Sequence, residues 1–169
     1  MKKNLVLIGM MAAGKTTLGK IVAQRYNMEF VDTDSIIENK NSMSISEIFE
    51  KKGEPFFRAE EEKEVIEILK KKGCVIAVGG GAFINKNIRE HILKSSISIW
   101  LDVDIKVLND RVQFNNRRPL LNKDNNENKI NEMYNERKKF YSMANYKINC
   151  KNLKKEVIAE KIIEIYEKQ

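Results

Sequence analysis

The sequence predicts an α/β chain, a parallel sheet covered by helices on both faces. Three observations carry that prediction. Short apolar runs alternate with stretches of helical spacing along the chain, the pattern of strands joined by crossover helices. The first run, Leu5-Val6-Leu7-Ile8, leads into Gly9-Met10-Met11-Ala12-Ala13-Gly14-Lys15-Thr16-Thr17 and then a helical stretch, which is the strand, G-x(4)-G-K-T turn and helix of a P-loop. Unusual residues also follow the second and third runs, beyond the carboxyl ends of strands, where open parallel sheets build their sites.

The first strand is predicted over 4–8 and the first helix over 15–26. Small residues between them let successive backbone N–H groups point into one concavity, a nest for phosphate oxygens. The helix adds its free N–H groups and the positive end of its dipole. Ala12, Ala13, Gly14, Lys15, Thr16 and Thr17 are thus the candidate nucleotide ligands. Lys15 can reach the β- and γ-phosphates, and the Thr16 hydroxyl can ligate Mg²⁺. The stretch implies binding of a nucleoside triphosphate.

The second strand, 29–31, runs into Asp32-Thr33-Asp34. Two apart on an extended segment, the carboxylates share a face. One reading makes them the cap and first turn of a helix over 35–39. The other starts from repulsion: two carboxylates beside a phosphate nest need Mg²⁺ or a hydroxyl substrate between. Asp32 would then hold Mg²⁺ through water, and Asp34 would grip a substrate diol and take the attacking hydroxyl's proton. Helices follow over 45–51 and 56–72, the latter carrying Arg58 with Glu61 at i+3 to orient it. After the third strand, 75–78, comes Gly79-Gly80-Gly81, either a tight turn or a place where a ligand approaches too closely for any Cβ.

A helix over 86–93 carries His91, read as a surface residue. The fourth strand, 98–101, ends at Asp102, the naive pattern of a Walker B carboxylate, so these residues leave two metal sites open, Asp32 and Asp102. A helix over 105–114 precedes the Asn-rich stretch 115–126, which has little apolar content to bury and reads as a mobile loop. In a kinase such a loop (here about 112–125) is a lid that excludes water during transfer, and Arg118 in it is placed to reach the transferring phosphate. A helix over 126–143 carries Arg137; with Arg58 it would make a pair of guanidiniums suited to a carboxylate. A fifth strand over 147–149 and a helix over 154–167 complete the chain.

At 169 residues, 42% apolar and 33% charged, the chain is most simply one domain, 1–169. No apolar run approaches the roughly 18–20 residues of a membrane span, and the first strand is too short for a signal-peptide core, so a cytoplasmic protein without membrane partner is expected. Cys74 and Cys150 lie in no ligand or redox spacing and read as buried free thiols. Net charge of +7 admits nucleic acid. Lysines are scattered among glutamates, however, the pattern of solvated helix faces, and polyanionic small substrates account for the balance without a nucleic-acid partner.

Taken in order, G-x(4)-G-K-T, F-V-D-T-D, F-F-R-A-E-E, G-G-G-A, R-R-P-L-L and R-K-K-F-Y resemble the bacterial shikimate kinases over nearly the whole chain. The resemblance implies a three-layer α-β-α fold like that of nucleoside monophosphate kinases, with a five-stranded parallel sheet in the order 2-3-1-4-5. It implies ATP-dependent phosphorylation of the 3-hydroxyl of shikimate, a step toward chorismate and the aromatic amino acids, by a monomer. Asp34, Arg58, Gly80 and Arg137 would hold shikimate, with Gly79 and Gly81 beside them and Phe49 and Phe57 walling a shikimate-binding part at about 33–61. Lys15 and Arg118 would stabilise the phosphates, Thr16 would ligate Mg²⁺ with Asp32 behind it, and Arg111 would lie against the adenine. The resemblance favours Asp32 over Asp102 for the metal. Ala12 stands where the family commonly has glycine, and is expected at negative φ, where alanine carries no strain. The loop 150–154 lacks the proline often found on the adenine side. The rival readings are another small-molecule kinase of this fold, such as a gluconate or nucleoside monophosphate kinase, and a nucleotide-dependent binding protein.

Overall fold

The computed structural model describes residues 3–113 and 126–169. Its sheet has five strands, all paired in parallel, in the order β2-β3-β1-β4-β5: β1 is Asn4–Ile8, β2 Glu29–Asp32, β3 Cys74–Ala77, β4 Ser96–Asp102 and β5 Tyr146–Asn149. The fold class and strand order are those expected. β1 lies at the centre, with Leu5 opposite Val75 on one side and Ile97 on the other. It is buried along its whole length, as is β3, which is why both read as unbroken apolar runs rather than alternating ones.

Eight helices appear among the described residues: α1 Lys15–Tyr26, α2 Thr33–Asn41, α3 Ile45–Lys52, α4 Glu54–Leu69, α5 Lys86–Ser95, α6 Ile105–Gln113, α7 Asn126–Tyr141 and α8 Lys155–Glu167, with a 3-10 turn at Ala82–Ile84. Two boundaries differ from the sequence reading in a way that matters. α2 starts at Thr33 rather than at 35, because Asp32 caps it: its Oδ1 accepts from the N–H of Asp34 and of Ser35. α4 starts at Glu54, with Pro55 in its first turn, where a missing N–H leaves no bond unmade. Gly19, inside α1, has a packing reason: a Cβ there would run into the Phe30 ring of β2.

The main core sits between sheet and helices, with Leu5, Leu7, Ile76 and Ile99 meeting Ile88 and Ile92 of α5 and Ile162 of α8. A second, smaller cluster of Ile37, Ile48 and Phe57 lies among α2, α3 and α4, flanked by Met43, Ile45, Phe49 and Phe56. α3 is short, and its start is fixed by a capping box, in which Ser44 and Glu47 each satisfy the other's N–H. No helix among the described residues is long and apolar enough to cross a membrane.

Candidate active site

Because all the strands run in parallel, the turns after β1, β2 and β3 open on one edge of the sheet. There they line a cavity of about 1050 Å³. The P-loop forms one part of its wall, from Met11 to Leu18. No side chain caps the start of α1, and its first turn holds no acidic residue, which leaves the helix's positive end for an anion. Lys15 is buried, and its ammonium donates to the carbonyls of Gly9 and Met10, both at 2.8 Å. Ala12 departs from expectation. Its φ is 60°, in the left-handed region, not the negative value at which alanine is unstrained. The Arg111 guanidinium, 2.9 Å from the Ala12 carbonyl, helps to hold that conformation. Arg111 thus lines the cavity while gripping the loop itself.

Asp32 and Asp34 both face the cavity, but Asp34 lies in the first turn of α2 rather than on an extended segment. The cap and site readings are not exclusive: while Oδ1 of Asp32 caps α2, its Oδ2 accepts from the Thr16 hydroxyl at 2.7 Å. A hydroxyl and a carboxylate side by side at the phosphate nest are hard oxygen donors, a set that fits Mg²⁺ completed by phosphate oxygens and water. Asp102 is engaged elsewhere. Its two carboxylate oxygens accept from the Tyr134 hydroxyl at 2.7 Å and the Lys147 ammonium at 2.8 Å. No cluster of three or more His, Cys, Asp or Glu side chains suited to a metal occurs among the described residues.

The far wall comes from α3 and α4, from the glycine run after β3, and from α7. Phe49 and Phe57 pack with ring centroids 4.8 Å apart, and the Arg58 guanidinium lies over Phe57. Arg58 is gripped by two carboxylates, Glu61 at 2.7 Å and Glu54 at 3.1 Å. Glu61 is almost fully buried, and its other oxygen, Oε1, has no hydrogen-bond partner among the described residues. Burial pushes its carboxyl above the usual range; the Arg58 charge opposes that shift and the nearby Asp34 adds to it. None of Gly79, Gly80 and Gly81 has positive φ, so backbone freedom is not what the run supplies. Space is. A Cβ at Gly81 would lie 2.5 Å from Arg58 Nη1, one at Gly80 3.4 Å from Arg137 Nη1, and one at Gly79 would collide with Glu61 and Asp34. Gly79 and Gly81 therefore make room for the chain's own acids and for Arg58, where the sequence reading had offered a tight turn or a close ligand. Arg58 and Arg137 do converge: both line the cavity that Asp34 lines.

Arg118 and the loop predicted as a lid lie outside the described residues, apart from that loop's first two positions. On the opposite side, the cavity is bounded by Val103, Asp104, Cys150, Asn152 and Leu153. Burial pushes the Cys150 thiol up to about 11, so it stays protonated and inert near neutral pH; Cys74 is a buried free thiol as well. The buried partnership of Glu61 was only half legible, as an i+3 spacing. Tyr141, whose hydroxyl reaches the Gly80 carbonyl, had no local signal beyond its place in the R-K-K-F-Y run.

Comparison with known proteins agrees with this geometry. The family model for shikimate kinase matches residues 11–167. A shikimate kinase of Sulfurihydrogenibium sp. is 40% identical over 161 residues, covering 95% of this chain and 96% of its own. Among solved structures, the shikimate kinase from Acinetobacter baumannii in complex with shikimate superposes with a TM-score of 0.95 at 33% identity, over 99% of this chain and 94% of that one. The shikimate kinase from Aquifex aeolicus gives 0.85 at 30% identity, over 97% and 96%. Matched by that family model over most of its length and by a 40%-identical relative over nearly the whole of both chains, the chain belongs to the shikimate kinase family.

Proposed function

We propose that this enzyme transfers the γ-phosphoryl group of ATP to the 3-hydroxyl of shikimate, releasing ADP and shikimate 3-phosphate. One observation carries the assignment of roles. The P-loop and the set Asp34, Arg58, Gly80 and Arg137 wall the same cavity, so donor and acceptor are held in one space. Arg58 and Arg137 bind the acceptor's carboxylate as forks, with Gly79, Gly80 and Gly81 allowing close approach and Phe49 and Phe57 packing on the ring. Asp34 accepts from a ring hydroxyl and takes the proton of the attacking 3-hydroxyl. As the new O–P bond forms, the bond from the γ-phosphorus to the bridging oxygen breaks, and the leaving charge stays on ADP. Lys15 and the backbone N–H groups from Ala12 to Thr17 stabilise the phosphate oxygens, and Arg118 does so from the lid. Arg111 lies at the adenine side. Thr16 would hold Mg²⁺, with Asp32 behind it, and the ion would supply neutralisation of the phosphate charge. The pairing of Asp102 with Tyr134 and Lys147 supports that choice over Asp102.

The use of ATP and a small acid supports a cytoplasmic place. The test is an ADP-release assay across shikimate, quinate, gluconate and nucleoside monophosphates. Turnover with shikimate, lost in Lys15→Ala while the circular dichroism is unchanged, is expected. Preference for gluconate or a nucleotide would move the enzyme to another acceptor.

A further inference from the structure

We infer that Tyr141 is a positioning residue for the acceptor's carboxylate, because its buried hydroxyl holds the Gly80 carbonyl in place. The inference rests on the acceptor reading above. Tyr141 is the last residue of α7 and fully buried. It stands four residues after Arg137, so the two share a face of the helix. Its ring is set against Trp100 of β4, with centroids 5.9 Å apart. The hydroxyl donates to the Gly80 carbonyl, and Met10 Sδ of the P-loop lies 3.6 Å away. Burial raises the Tyr141 pKa and the nearby Arg137 charge opposes it; the guanidinium lies 3.4 Å from where a Gly80 Cβ would stand.

The need for such a tie follows from the glycines. A run of three has the most permissive backbone a chain can offer, yet its N–H groups must point in fixed directions to bind an anion. Local bonds hold two of its carbonyls: Gly79 accepts from the N–H of Ala82 and Gly81 from that of Ile84, both at 3.1 Å. Gly80 lies between them, and its carbonyl is held by Tyr141. Fixing that carbonyl fixes the peptide plane that carries the Gly81 N–H. One buried oxygen thus sets the direction of a backbone donor on the carboxylate's side of the cavity.

Tyr141→Phe keeps the ring and removes the oxygen. The measurement is kcat and KM for shikimate, for its carboxamide analogue and for ATP, beside Tm. The KM for shikimate should rise roughly threefold to tenfold, the range for a lost neutral hydrogen bond. The KM for ATP should stay within about twofold, and that for the carboxamide should change far less than that for shikimate. Equal losses with both acceptors, or no change with shikimate, overturn the inference. If the Phe variant does not fold, 3-fluorotyrosine placed at position 141 alone answers instead: its ¹⁹F resonance should move on adding shikimate and stay with the carboxamide, and a resonance still for both overturns it. A wild-type enzyme that does not turn over shikimate removes the acceptor reading itself and this inference with it. A wild-type enzyme active on shikimate, beside an unaltered Phe variant, removes only Tyr141.

Discussion

Ala12 holds a left-handed backbone, φ 60°, inside the loop that cradles phosphate. For an L-residue this conformation costs roughly 1–2 kcal/mol. Ala12→Gly would remove that strain but loosen the unfolded chain by about 0.4–1 kcal/mol. The balance favours glycine slightly, and Tm should rise by roughly 1–3 °C, given about 2–4 °C per kcal/mol for a chain this size. A lower Tm would mean that the packing of the Ala12 methyl outweighs the strain. A second residue-scale contrast is between two aspartates that look alike in sequence, each ending a strand. Asp32→Asn should raise the Mg²⁺ concentration for half-maximal rate about tenfold or more, the usual effect of losing a carboxylate behind a metal ligand. Asp102→Asn should leave it unchanged and lower Tm instead, because Tyr134 and Lys147 lose their charged partner. A Mg²⁺ titration with the order reversed would move the metal to Asp102. Sequence could not separate the two. What distinguishes them is a lysine on β5 and a tyrosine on α7, both more than thirty positions from Asp102.

α4 shows how an element turns a spacing into a device. Arg58 faces the cavity from its first turns, and Glu61, one turn on, is buried beneath it. The i+3 spacing was legible; the burial was not, because it depends on Gly79 leaving room from another element. Burial raises the Glu61 pKa above 4.5, against the pull of Arg58. A carboxyl raised on folding contributes stability that is complete below its unfolded value and declines as pH rises through the folded value. Glu61→Gln should abolish that decline, so that the Tm of the variant gains on wild type from about pH 4 upward. The ionised form is nevertheless what Arg58 needs. The same variant should raise the acceptor KM roughly tenfold, and kcat/KM of the wild type should fall as pH drops through the raised Glu61 value. Stability and acceptor binding then move in opposite directions. A variant whose Tm tracks wild type at every pH would show that the carboxyl is not raised by its burial.

At the scale of the molecule, the two hydrophobic bodies divide the labour unequally. The sheet and its covering helices were legible because unbroken apolar runs and helical spacing are local signals, and the P-loop because its glycines and lysine are contiguous. The segment from α2 to the start of α4 gave weaker signals, since its cluster of Ile37, Ile48 and Phe57 is assembled from two short helices and the first turn of α4. That cluster carries Asp34, Phe49, Phe57 and Arg58 to the cavity, and is pinned to the rest by Lys40, which grips the buried Glu64 at 2.6 Å. A body with so few buried apolar contacts should open at lower free energy than the central sheet. Native-state hydrogen exchange should therefore show the amides of α2 and α3 exchanging well before those of β1. Shikimate at a hundred times its Kd should raise the opening free energy of α2 and α3 by up to about 2.7 kcal/mol, because opening destroys its site. Lys40→Ala should lower the same opening free energy without changing exchange from β1. If α2 and α3 exchanged as slowly as β1 in the unliganded enzyme, the acceptor wall would be part of one cooperative unit with the phosphate cradle, and acceptor binding would have to be explained without local opening.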